Sequence, residues 1–267
     1  MSDVLFERDG HVATITMNRP DRLNAISGPM LAEIGRRLVE CDADRGVRVV
    51  VLTGAGRGFC SGLDLQDLAA GTGIGSGGDA GDAGGAGGGG FRLDDTPPFV
   101  LRRIDVPVIC RLNGPAAGYG MDLALGCDMV IASDRASFTP PVMRSAVPES
   151  GGTWLLPRLV GWHKACEITF AGRKLDASEL QRLGLVNIVV PDGELDETVA
   201  SWATNVAAQA PLAVRAAKRT MRLGLDSTFE ANSHHVMQEL LTLFRTKDFG
   251  EAVAAYIEKR PANFHGR

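Results

Sequence analysis

Two stretches have the composition to do chemistry on a carbonyl group. They are Gly58-Phe59-Cys60-Ser61-Gly62-Leu63-Asp64-Leu65 and Asn113-Gly114-Pro115-Ala116-Ala117-Gly118-Tyr119-Gly120-Met121-Asp122-Leu123. Each follows a strand-like run and leads through small residues into a helix-like segment. Such a junction can aim a backbone N–H from a helix start at an external point, and two converging donors make an oxyanion hole. The pair points to a reaction in which negative charge builds on a carbonyl oxygen.

The elements that must hold these loops read as strands alternating with helices. His11 to Met17 alternates like a half-buried strand, and Asn18-Arg19-Pro20-Asp21 turns the chain. Ser27 fits a helix N-cap with Pro29 in the first turn, and Met30, Leu31, Ile34 and Leu38 give an apolar helix face. Val47 to Leu52 reads as a strand covered on both sides. Val106 to Leu112 and Met129 to Ala132 are further strand candidates. The alternation predicts an α/β architecture.

Beyond Thr153 the pattern turns helical, with Leu155, Leu156, Leu159 and Val160 expected on one face. Short helices are expected over 165–171 and 177–183, a brief strand over 185–190, and longer helices over 195–210, 212–223, 227–244 and 249–260. This divides the chain into a core, 1–200, and a helical C-terminal region, 201–267, used for assembly. Twelve of the twenty residues 71–90 are glycine, a composition that cannot offset its own ordering entropy, so a flexible insertion is expected there, able to cover a pocket. The sequence shows no internal repeat.

A length of 267 residues fits one large domain or a domain plus a small appendage, 45% hydrophobic content is ordinary for a soluble globular enzyme, and a net charge of −4 weakly disfavours nucleic acid as the main partner. The N-terminal residues lack a signal-peptide pattern, and no run reaches membrane-span length. Cys41, Cys60, Cys110, Cys127 and Cys166 form no CxxC pair or disulfide framework, which fits reduced thiols in a cytoplasmic protein, Cys60 serving as a small packing residue rather than a nucleophile. The five histidines show no metal-ligand spacing: His234 and His235 are adjacent and diverge around a helix, so no metal is expected.

Taken in order, these motifs resemble those of the crotonase superfamily, the enoyl-CoA hydratase/isomerase family. The likeness starts at Asn18-Arg19-Pro20 and Leu23-Asn24-Ala25 and runs through both glycine motifs. It continues at Pro148-Glu149-Ser150-Gly151-Gly152-Thr153 and ends at Glu258-Lys259-Arg260-Pro261-Ala262-Asn263-Phe264. The resemblance implies a spiral of ββα units with C-terminal helices that drive trimerisation, in a homotrimer or homohexamer. It implies an acyl-CoA substrate, coenzyme A being part of that substrate rather than a separate cofactor. By motif position, the oxyanion donors are the amides of Leu63 and Tyr119. Tyrosine is unusual at a position that is often Gly or Ala, and its ring must point away from the carbonyl. Arg22, Ser61, Asp64, Leu65, Tyr256 and Lys259 stand at positions implied to contact coenzyme A.

Two carboxylates stand at positions implied to be catalytic. Asp122 follows Tyr119 by about one helical turn and can face the same cavity, or serve as a structural hydrogen-bonding group. Glu149 lies in a Pro-acid-x-Gly-Gly pattern similar to isomerases of the family that use the acid as proton shuttle. Its alternative role is to favour the helix start after it. Family hydratases carry a second glutamate after a Phe-x-x-Pro region. Here Phe138-Thr139-Pro140-Pro141-Val142 places Pro141 or Val142 there, and neither activates water. The balance favours double-bond isomerisation over hydration. Two other readings fit less well. Thr53-Gly54-Ala55-Gly56-Arg57-Gly58-Phe59-Cys60 looks like a dehydrogenase phosphate loop. However, Cys60 replaces its last glycine, the first-strand position is wrong, and no Tyr-x-x-x-Lys pair exists. A non-catalytic thioester binder would not need Asp122 and Glu149.

Overall fold

The computed structural model describes residues 2–70, 93–144 and 151–267. The expected insertion at 71–90 and the expected acid Glu149 lie outside the described residues.

Alternation of Val12, Thr14 and Thr16 with buried Ala13, Ile15 and Met17 gives β2 (Val12–Met17). It pairs antiparallel with β1 (Val4–Asp9), which the pattern reading missed. Of the β1 residues only Val4 is buried, so its apolar alternation is weak; the Asp9-Gly10 hairpin signal was the available clue. Ser27 caps α1 (Gly28–Ala43), accepting from the Met30 amide at 3.4 Å, and the expected face of Met30, Leu31, Ile34 and Leu38 is buried. The all-buried β3 (Val49–Gly54) follows, then α2 (Leu65–Ala69) and α3 (Pro97–Arg103).

The next segments repeat one geometric unit. β4 (Val108–Leu112) and β5 (Pro115–Ala117) lead into α4 (Tyr119–Gly126), and β6 (Met129–Ser133) and β7 (Ser137–Thr139) lead towards α5 (Gly152–Val160). Then come α6 (Trp162–Phe170), β8 (Leu175–Asp176), α7 (Ala177–Arg182) and β9 (Ile188–Val190). The main sheet runs β1-β2-β3-β4-β6-β9, parallel beyond its first pair, and a smaller sheet runs β5-β7-β8. Isolated parallel bridges Ile26↔Leu63 and Cys60↔Ala116 extend the smaller sheet's pairing to the earlier turns. Each turn of chain thus adds one strand to the main sheet and one short pairing beside it, which is the spiral that the resemblance implies.

On α5 the expected shared face is not observed. Leu156 is buried but Leu159 is exposed, because the helix turns only its Gly152 and Leu156 side fully inward. Four longer helices complete the chain: α8 (Leu195–Ala207), α9 (Pro211–Gly224), α10 (Phe229–Leu243) and α11 (Lys247–Glu258). The boundary expected at residue 200 falls within α8. That helix lays Leu195, Val199, Ala203 and Ala207 on the outer sheet face formed by Val49, Val51, Ile109, Ile131 and Val190.

Charge, by contrast, fastens α9. Arg215 binds Asp42 at 2.8 Å, Arg222 binds Asp105 at 2.9 Å, and Arg219 bridges Asp105 and Glu239. The nearly buried Lys218 ammonium reaches Asp128 at 2.7 Å and the Val106 carbonyl at 2.9 Å, so its charge is paired rather than stranded. Among the described residues, no helix is long and apolar enough to cross a membrane.

Candidate active site

The site is assembled where β3 and β4 run out into the two glycine motifs. The motifs are zipped together through backbone bonds: Phe59 and Cys60 donate to the Pro115 carbonyl at 3.1 and 3.3 Å, and Ala117 donates to the Cys60 carbonyl at 2.9 Å. Gly120 permits this contact. A Cβ there would stand 2.2 Å from the Cys60 carbonyl oxygen and 2.7 Å from its Cβ. Burial pushes the Cys60 thiol up to about 12, against a small assist to the thiolate from the Gly62 amide, so its place is in the packing, as expected from sequence.

The orientation of the Leu63 amide follows from peptide geometry. Ile26 donates to the Gly62 carbonyl at 2.8 Å, and Asp64 donates to the Ile26 carbonyl at 2.9 Å. Across a planar trans peptide the C=O and N–H point in opposite directions. The Gly62–Leu63 peptide therefore turns its N–H away from Ile26, and among the described residues that N–H has no acceptor. A Cβ on Gly62, which sits at φ 98°, would lie 3.6 Å from the Tyr119 nitrogen, so this peptide abuts the start of α4. Tyr119 supplies the first amide of that helix, where the helix dipole adds partial positive charge. The structure brings the two expected donors side by side.

Asp122 is wholly buried in the first turn of α4, between Met121 and Leu123. Tyr119 is 5% exposed and packs in the main core, with its side chain taken up by the protein interior. The α5 helix, which starts just after the segment carrying Glu149, packs on α4. On the other side of the α4 start, the Thr139 carbonyl accepts from the Gly118 amide at 2.9 Å. Pro141 lies close enough that a Cβ on Gly118 would meet it at 3.5 Å. The Phe-x-x-Pro region therefore does reach the start of α4, and it brings Pro141 there.

Four of the expected coenzyme A residues, Arg22, Ser61, Asp64 and Leu65, line one pocket of about 290 Å³ together with Ala25, Leu63 and Gln66. Their side chains are not equivalent. Leu65 is exposed, and Arg22 keeps part of its guanidinium in solvent. Asp64 is buried and engaged internally, by Arg22 at 2.8 Å and Arg19 at 2.9 Å. Burial alone would raise its carboxyl pKa. The Arg22 hydrogen bond, the Gln66 amide and Arg19 outweigh that and hold it below the usual carboxylate range. Tyr256 and Lys259 are not gathered there: Tyr256 is almost fully exposed on α11, and Lys259 ends that helix in a left-handed conformation. Pattern reading assigned no role to Arg19, which fixes Asp64, or to Asn24 and Asn113, which anchor the first motif. Their signal was polarity inside otherwise apolar surroundings.

The spiral of strand pairs and the two zipped glycine motifs define a crotonase-type α/β fold. The model of the enoyl-CoA hydratase/isomerase family matches residues 7–267, and the chain belongs to that family, whose substrates are CoA thioesters. It is 33% identical to the 1,2-epoxyphenylacetyl-CoA isomerase of Escherichia coli over 271 aligned positions covering 100% of both chains. It is 34% identical to the short-chain-enoyl-CoA hydratase of Clostridium acetobutylicum, covering 97% of this chain and 96% of the relative. The crystal structure of an enoyl-CoA hydratase from Bacillus anthracis superposes with a TM-score of 0.88 at 31% identity, covering 100% of each chain.

Two outcomes follow from the geometry. Gly120→Ala should force the zipped loops apart and lower kcat about 100-fold while KM stays within about threefold, the pattern of a lost transition-state contact. Steady-state kinetics with enoyl-CoA thioesters checks this. Asp64 is depressed in the folded chain, so its ion pairs contribute fully above the unfolded value of about 3.8 and are lost as pH falls through the lower folded value. Wild type should therefore melt above Asp64→Asn at pH 6, with the gap closing below pH 4; a gap unchanged to pH 3 contradicts the assignment.

Proposed function

We propose that this chain moves a double bond within an enoyl-CoA thioester. The thioester oxygen accepts from the Leu63 and Tyr119 amides. Glu149 removes a proton from the carbon alpha to the carbonyl of a 3-enoyl-CoA, and the bonding pair moves into a dienolate with its charge on that oxygen. Return of the proton to the gamma carbon gives the 2-enoyl-CoA, with no atom added or lost. Arg22 and Ser61, at the pocket mouth, and Leu65 meet the coenzyme A portion, Asp64 holds Arg22 in place, and Tyr256 and Lys259 of the same or a neighbouring subunit complete the contact.

The observation that carries this reading is the outward-facing Leu63 amide beside the first amide of α4. Isomerisation is favoured over hydration because Pro141 and Val142 stand where a hydratase needs a second acid, and Pro141 lies against the helix start. The buried Asp122, one turn from Tyr119, supports the alternative in which it and Glu149 bracket a water for addition to a 2-enoyl-CoA.

The test is a set of trans-2-, cis-3- and trans-3-enoyl-CoA substrates turned over in deuterated water. Alpha and gamma exchange without a 3-hydroxyacyl product is expected; accumulation of that product replaces isomerisation with hydration. Glu149→Gln should lower kcat at least about 100-fold with KM within about threefold, and unchanged turnover removes Glu149 from the mechanism.

Large apolar side chains stand exposed on α10 (Phe229, Met237, Leu241) and on α11 (Ile257), which favours self-association as a trimer or paired trimers. Sedimentation equilibrium should return a mass of three or six chains. A monomer at micromolar concentration is the contrary result.

A further inference from the structure

Resting on the oxyanion reading above, we infer that Asn24 and Asn113 are positioning residues. Together they form a two-armed carboxamide clamp that sets the spacing between the Leu63 and Tyr119 amides.

Both side chains are buried, Asn24 completely and Asn113 with 3% exposure. The Asn24 carboxamide nitrogen donates to the carbonyls of Ala55 and Gly58 at 2.9 Å and of Phe59 at 3.1 Å, while its oxygen accepts from the Arg19 amide at 2.9 Å. The Asn113 nitrogen donates to the Gly56 carbonyl at 2.9 Å and to the Gly58 carbonyl at 3.2 Å. The Gly58 carbonyl thus receives donors from two different segments. One donor precedes Ile26, the residue that orients the Gly62–Leu63 peptide. The other opens the motif that contains Tyr119.

The clamp does what sheet pairing cannot. β3 ends at Gly54, and beyond it the carbonyls of residues 55, 56, 58 and 59 turn inward to the two carboxamides instead of to a neighbouring strand. Leaving the sheet lets the loop present an amide outward at Leu63. The conformation is strained to achieve it. Leu23 and Asn24 are consecutive residues in the left-handed region, at φ 51° and 55°, and the Leu23 carbonyl accepts from the Ser61 amide at 3.0 Å. A carboxamide suits this place: its two N–H hydrogens are shared among the three carbonyls while its oxygen takes the Arg19 amide. A carboxylate would face those carbonyl oxygens without a donor, and a hydroxyl offers a single hydrogen.

The experiment uses Asn24→Ser and Asn113→Ser, with Asn187→Ser as a control, since Asn187 bonds the Val130 amide at the far edge of the sheet. Bound trans-cinnamoyl-CoA reports carbonyl polarisation through the red shift of its absorbance, and kinetics on the isomerised substrate gives kcat and KM. Clamp variants that melt cooperatively should lose at least about tenfold in kcat with KM within about threefold, and should show no more than half of the wild-type red shift. The control should match wild type. Folded clamp variants with full red shift and full kcat overturn the inference. Absence of a red shift in wild type overturns the oxyanion reading itself, and the clamp falls with it. Should the serine variants not fold, the carboxamide resonances of Asn24 and Asn113 in nitrogen-15-labelled wild type decide. Movement on binding trans-cinnamoyl-CoA but not free coenzyme A supports the clamp, and unmoved resonances overturn it.

Discussion

A planar peptide cannot turn its carbonyl without turning its N–H, and that rigidity organises this molecule. Ile26 fixes the Gly62 carbonyl, so the direction of the Leu63 amide is settled by a residue in a different turn of the spiral. Ile26 is in turn held at the entrance to α1, whose buried face belongs to the main core. The second amide depends on a separate chain of support: β5 is zipped to the first motif at Cys60, and Gly120 admits the contact. Misplacing either chain of support by a fraction of an ångström moves one donor relative to the other. Few backbone contacts carry the site, yet most of the buried core stands behind them.

Much of this was legible in the residues. Long periodic segments such as α1 and β3 declared themselves because burial imposes apolar spacing on them. β5, β7 and β8 did not, since two or three residues are too few to show a period. The spiral repeat was invisible for a related reason. It is a repeat of backbone path, and each turn fills its interior with different side chains. The two donors were named through the family likeness alone, because a backbone amide leaves no mark of its own on composition. Asp64 illustrates what motif position leaves out. It lines the pocket with Arg22, Ser61 and Leu65, and its carboxylate is bound by Arg19 and by Arg22, the latter 42 residues away, a pairing that no local pattern reveals.

The two halves of the C-terminal region are attached by different forces. α8 is held by apolar burial against the sheet, the non-directional interaction that dominates folding. α9 is held by arginine and lysine contacts to Asp42, Asp105 and Asp128, which specify geometry more than they add stability. No residue of α10 is fully buried, and the helix packs on α9. The orientation of the outermost apolar surface is thus determined by a polar seam beneath it.

The parallel pairing of β3 with β4, in which Leu52 faces Cys110, joins strands that are neighbours in space and separated in sequence by the glycine-rich stretch. Registry between them is written into their own ladder and the side chains they bury, with the first glycine motif anchored beside them. Closure entropy grows so slowly with length that doubling a connection costs only about 0.6 kcal/mol. Pairing secured by such distant contacts tolerates a change in the number of residues between 70 and 93 at little thermodynamic cost, a latitude open to lineages that diverge in acyl preference.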